Sequence, residues 1–129
     1  MFTAEQINAA HSKVKSGADF PAYIKAIKSL GVTHYETYVG DGHTDYHGAN
    51  NHSVTISANY EPLQIAKLPH IDVFKQELLA HQQGKTDYPT FIKMCASLGV
   101  KKWEINLDKL TCTYFDSTEA PILVEIIPQ

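Results

Sequence analysis

Arginine is absent: all eleven basic residues of the 129-residue chain are lysine. Without a guanidinium fork there is no bidentate contact to phosphate or guanine. The formal charge of −3 adds to this, so nucleic acid is not an expected partner. Long apolar runs are missing too. The longest, Pro121 to Pro128, is interrupted by Glu125 and falls well short of the ~20 residues of a membrane span, so no membrane partner is expected either. Met1-Phe2-Thr3-Ala4-Glu5-Gln6 lacks a basic region followed by an apolar one, which predicts a cytoplasmic address and reduced thiols. With only two cysteines, no disulfide framework is expected. What the chain does have is length enough to bury roughly two thirds of its unfolded surface, so one domain spanning 1–129 is predicted.

Inside that domain the sequence is written twice. Asp19-Phe20-Pro21-Ala22-Tyr23-Ile24-Lys25-Ala26-Ile27-Lys28-Ser29-Leu30-Gly31-Val32 aligns without gaps on Asp87-Tyr88-Pro89-Thr90-Phe91-Ile92-Lys93-Met94-Cys95-Ala96-Ser97-Leu98-Gly99-Val100. At the same offset of 68, Tyr35-Glu36 falls on Trp103-Glu104, Tyr46 on Tyr114, and Val54, Ile56 and Ala58 on Ile122, Val124 and Ile126. Backwards the offset drops by one, placing Ala4, Ile7, His11, Val14 and Gly17 on Ile71, Phe74, Leu78, His81 and Gly84. Two repeats, about 1–60 and 71–129, are joined by a linker over 61–70.

Each repeat reads as two helices and three strands. Thr3 with Gln6 has capping-box form, and Ile7, Ala10, His11 and Val14 keep a helical stripe up to Gly17. Asp19 and Asp87 stand before the second helix of each copy, with Pro21 and Pro89 in the first turn and Gly31 and Gly99 at the end. The period then falls to two. Tyr35, Thr37, Val39, Thr44 and Tyr46 in one hairpin, and Trp103, Ile105, Leu107, Leu110, Cys112 and Tyr114 in the other, mark the inward faces. Third strands follow near 52–58 and 122–127. The expected fold is α+β, an internally duplicated α-α-β-β-β unit with a mainly antiparallel sheet, helices on one face and a pseudo-twofold axis.

The opening Met1-Phe2-Thr3, the two Leu-Gly-Val junctions at 30–32 and 98–100, and Tyr35-Glu36-Thr37-Tyr38 before Gly40-Asp41-Gly42 resemble a family of small bacterial proteins. These YbcV-like proteins occur in enterobacterial and prophage settings and are often labelled "phage envelope protein". The resemblance covers essentially the whole chain and implies a phage-associated context. It brings no activity and no catalytic residues.

Duplication supplies an internal control, since polar residues present in only one copy are not demanded by the fold. The outward positions of the first hairpin are His34, Glu36, Tyr38, His43, Asp45 and His47. The second has Lys102, Glu104, Asn106, Thr111, Thr113 and Phe115. Imidazole and carboxylate are ligands for divalent transition metals, so His34, Glu36, His43, Asp45 and His47 form a candidate metal site. The alternative is a solvated face, because same-side residues on a strand stand about 7 Å apart. Phe115, Leu123 and Ile127 are apolar where the first copy has His47, Thr55 and Asn59. They are read as outward and covered, by a second subunit in a homodimer or by the centre of the sheet. Cys95 and Cys112 sit at inward positions, so no catalytic nucleophile is expected, and no cofactor-binding motif stands out. His11 and His81 are expected to be partly buried, His52 and His70 to lie in loops. The function these features favour is a non-enzymatic cytoplasmic module that binds a protein or small molecule. A metal-binding protein or small metal-dependent hydrolase, and a phage structural or accessory component, are the alternatives.

Overall fold

Helix ends follow the local sequence signals closely. Helix α1 (Ala4–His11) opens on a complete capping box, in which the Thr3 hydroxyl accepts from the Gln6 amide and the Gln6 side chain accepts from the Thr3 amide. It closes at Ser12, earlier than the apolar stripe suggests. The computed structural model describes residues 1–14, 19–58 and 60–127. Gly17, expected to end the helix, and Asn59 lie outside the described residues. Helix α2 (Phe20–Ser29) and helix α4 (Tyr88–Ser97) carry proline in the first turn, and Asp87 caps the latter by accepting from the Thr90 amide at 2.9 Å. Helix α3 (Ile71–Gln82) completes the set.

Strands β1 (Val32–Tyr38), β2 (Thr44–Gly48) and β3 (Ser53–Ile56) follow α2, and β4 (Lys102–Asn106), β5 (Thr111–Phe115) and β6 (Pro121–Ile126) follow α4. They form one antiparallel six-stranded sheet in the order β3-β2-β1-β4-β5-β6. The fold is α+β, and the α-α-β-β-β order occurs twice. At the centre β1 pairs with β4, and Glu36 stands directly opposite Glu104. These two residues are equivalents at the 68-residue offset, so equivalents meet at the middle of the sheet, as a local two-fold would require.

One face of the sheet carries the core. Val32, Tyr35, Tyr46, Ile105, Cys112 and Tyr114 are buried there with Ile7, Ile24, Ile27, Phe74, Phe91 and Ile92 from the helices. The Tyr23 and Tyr46 hydroxyls hydrogen-bond at 2.9 Å, and Phe74 meets Tyr114 edge-on at 5.0 Å, so the helices seal this face in both halves. Among the described residues no helix is long and apolar enough to cross a membrane.

The last strand departs from the sequence alignment by one residue. Tyr46 pairs with Val54, but its equivalent Tyr114 pairs with Leu123 rather than Ile122, after a register shift between Tyr114 and Phe115. Because side chains alternate, one residue of slip exchanges the two faces. Leu123 therefore packs on the core and Ile127 is only 5% exposed, while Val124 and Ile126 turn outward at 59% and 81% exposure. The expectation that Leu123 and Ile127 are outward is overturned, because the shift absorbs the extra residue. Phe115 keeps its outward place, opposite Lys102.

Candidate functional site

Among the described residues the helices pack on the core face, and the other face of the sheet collects the histidines and carboxylates of the first hairpin. Alternation on β1 and β2 puts His34, Glu36, Tyr38, Asp45 and His47 on this side, with His43 at the mouth of the hairpin. The geometry groups them in pairs. His34 and His47 are directly opposed and their rings stack at 4.5 Å. Tyr38 and His43 stack at 4.4 Å. Asp41 accepts from the His43 amide and lies 2.5 Å from its Nδ1, while the His43 Nε2 lies 3.7 Å from Asp45. Those hydrogen bonds, backbone first and then ring, hold the Asp41 carboxyl below its usual value. Asp45 in turn accepts from the Thr55 hydroxyl at 2.6 Å.

From the second repeat comes Lys102, only 8% exposed. Its ammonium donates to Glu36 at 2.7 Å, lies 3.0 Å from Glu119, and sits 5.5 Å and 5.0 Å from the ring centres of Tyr38 and Phe115. Burial alone would lower the lysine pKa. The hydrogen bonds that Lys102 donates to Glu36 and Glu119 outweigh it and raise the value, so Lys102 is a fixed cation and not a nucleophile. The sequence comparison placed Lys102 on the outer face without its role, since only the fold brings Glu119, Tyr38 and Phe115 around it.

The other oxygen of Glu36 lies 3.3 Å from the His47 Nε2, a buried nitrogen without a hydrogen bond. Glu104 is different. It lies across from Glu36, and among the described residues its carboxylate has neither an ion pair nor a hydrogen bond. Beside the Tyr38–His43 stack a groove of about 380 Å³ opens between the hairpin tip and the linker, bordered by Asp41, Leu63, Ile65 and Lys101. Tyr60 supports this corner by donating to the Val39 carbonyl at 2.7 Å. Its ring also occupies the space where a Cβ on Gly42 would fall, 2.4 Å away, so that turn requires glycine.

Residues 8–126 match the family described as Protein of unknown function (DUF1398). The chain belongs to that family. No curated protein matches it. In this DUF1398 member the five residues expected to form a metal site do share a face, but the structure does not make them converge. Among the described residues no group of three or more histidine, cysteine, aspartate or glutamate side chains is placed to hold a metal ion. The reason is the strand repeat: His43, Asp45 and His47 follow one another along one side of the strand, so the carboxylates meet the rings in separate places, Asp41 and Asp45 at opposite nitrogens of His43 and Glu36 at His47.

The remaining histidines serve the scaffold. His52 lies 2.7 Å from the Phe2 carbonyl and holds that ring edge-on at 4.5 Å. His81 stacks on Phe91 at 4.2 Å and bonds to Thr86, whereas His11 is exposed rather than partly buried and meets only the edge of Tyr23. Cys95 and Cys112 are free and buried. Burial raises both thiols, Cys112 to about 12, which leaves no thiolate to act as nucleophile.

Proposed function

We propose that the protein is a non-enzymatic binding module whose open sheet face receives a cationic group, an ammonium or guanidinium, between Glu36 and Glu104. One observation carries this reading. Two like charges stand directly opposed at the centre of the exposed face, a placement that costs about 0.2–1 kcal/mol, and Lys102 compensates only one of them. A basic ligand turns that cost into attraction. The parallel ring pairs His34–His47 and Tyr38–His43 on either side offer faces for its apolar stem. The buried thiols and the ion-paired Lys102 favour binding over nucleophilic chemistry. A cytoplasmic, prophage-encoded setting suits such a module and is not needed for it.

Calorimetric titration tests this with two probes, 1,5-diaminopentane and a hexa-arginine peptide. Binding that weakens with salt is expected, with at least a tenfold loss in Glu104→Gln. A preference for the diamine marks a small amine as the ligand, and a preference for the peptide marks a basic segment of another protein. Equal binding by wild type and Glu104→Gln would refute the reading.

A further inference from the structure

Among the described residues the sheet ends at two edge strands, β3 and β6, equivalent in topology and opposite in character. Backbone parity shows which residues face each edge. The Ile127 amide donates to the Leu110 carbonyl, so the hydrogen-bonded pairs between β5 and β6 are Cys112 with Glu125 and Tyr114 with Leu123. Val124 and Ile126 then direct their own N–H and C=O groups away from the sheet, and their exposed side chains stand on the open face beside them. On the other edge the Gly48 amide donates to His52, which by the same parity leaves Ser53 and Thr55 facing outward. That edge is short, polar and interrupted by the 3₁₀ turn over Ala49–Asn51. The β6 edge begins at Pro121 and carries a register shift, but the residues that face outward along it, Val124 and Ile126, are apolar and exposed. Its run Ile122-Leu123-Val124-Glu125-Ile126-Ile127 has a single charge, and Glu125 turns to the helix side, where its carboxylate accepts from Gln82 at 3.1 Å.

We propose that a second copy of the chain pairs along β6, antiparallel and centred on Val124, extending the sheet across a two-fold axis. Hydrogen-bond parity and charge choose both occupant and register. An antiparallel edge is complementary to itself, because each outward N–H and C=O of Val124 meets the same groups of the copy. Centring on Glu125 would oppose two carboxylates on the helix side. Centring on Val124 sets Glu125 against Leu123 of the partner subunit and Ile126 against Ile122 of the partner subunit. It also uses the full strand, since Pro121 and Ile127 are equidistant from that centre. The homodimer expected from the sequence is thereby moved from Phe115, Leu123 and Ile127 to the edge residues Val124 and Ile126.

Sedimentation of the whole chain at hundreds of micromolar tests the proposal. Wild type should run at twice the monomer mass. Val124→Pro removes only an amide that faces away from β5, so its circular dichroism should match wild type while the mass halves. Ile126→Lys should do the same without touching the backbone. Under mild oxidation Val124→Cys should cross-link to its own copy, since Cα atoms of a hydrogen-bonded antiparallel pair lie about 5.5 Å apart, and Thr55→Cys on the polar edge should not. A monomeric wild type overturns the proposal and leaves the edge to a strand of another protein or to none. Dimers that persist in folded Val124→Pro and Ile126→Lys overturn it as well, and a dimer in which Val124→Cys fails to cross-link rejects the register.

Discussion

Single residues differ most in what their charge meets. Glu36 has a partner on each oxygen and Glu104 has none, so removing the Glu104 charge and removing the Lys102 charge beside Glu36 should act in opposite directions. Glu104→Gln removes the repulsion and should stabilise the fold by about 0.5 kcal/mol, read as a melting point raised by a few degrees. Lys102→Met leaves Glu36 facing Glu104 with no counter-charge in a half-buried site, and should cost about 2 kcal/mol. Thermal melts of the two variants check both signs. The thiols give a pH prediction. Burial pushes the Cys112 thiol from an ordinary 9.0 up to about 12, and pushes Tyr60 up to about 12 as well. Groups whose folded state favours the protonated form contribute stability below the unfolded pKa and lose it above. Denaturant midpoints should therefore hold steady up to about pH 9 and fall beyond it, with neither thiol reacting with an aromatic disulfide until the chain unfolds.

At the scale of elements, the two helix-to-strand junctions offer a matched pair. Gly31 and Gly99 both adopt positive φ, +106° and +85°. A Cβ at Gly31 would meet only the Phe2 ring, at 3.8 Å, whereas at Gly99 it would lie 2.6 Å from the Leu68 carbonyl and 2.8 Å from the Pro69 Cα. Alanine should cost about 1 kcal/mol at Gly31, for the backbone conformation alone, and at least twice that at Gly99, where linker backbone must move. Equal losses in denaturation would contradict this packing. These elements also show what a sequence exposes. Helix α2, helix α4 and both hairpins were legible because caps, proline, glycine and a change of period mark them within a few residues. The facing of strand β6 is not legible in the sequence, because a register shift has no signature of its own. The apolar run 122–127 fits either face, and the register shift after Tyr114 decides between them. Helix α1 was read too long because an apolar stripe continues past the point where the Ser12 amide closes the last turn.

Over the whole molecule, the sheet has one face sealed by helices and another that carries the histidines, carboxylates and Lys102. Alternation carries that division in the sequence, and the pairing of β1 with β2 sets His34 opposite His47 and Glu36 opposite Asp45 on one side. Alternation does not carry distance. Whether side chains on one face converge depends on strand pairing, and here pairing brought the rings into stacks and gave Glu36 to Lys102. The centre of the face, where Glu36 and Glu104 meet, depends on the contact between β1 and β4, some seventy residues apart in sequence. That meeting of equivalents places the functional proposal in the middle of the molecule and the association proposal at its rim, so the two fail independently. The most direct measurement is an NMR titration of isotopically labelled protein with the hexa-arginine peptide, following backbone amides and glutamate carboxyl carbons together. Shifts should concentrate on the Glu36 and Glu104 carboxyls and on the amides of β1, β2 and β4. Shifts confined to the helices or to β5 and β6, with the Glu104 carboxyl unmoved, would contradict the account.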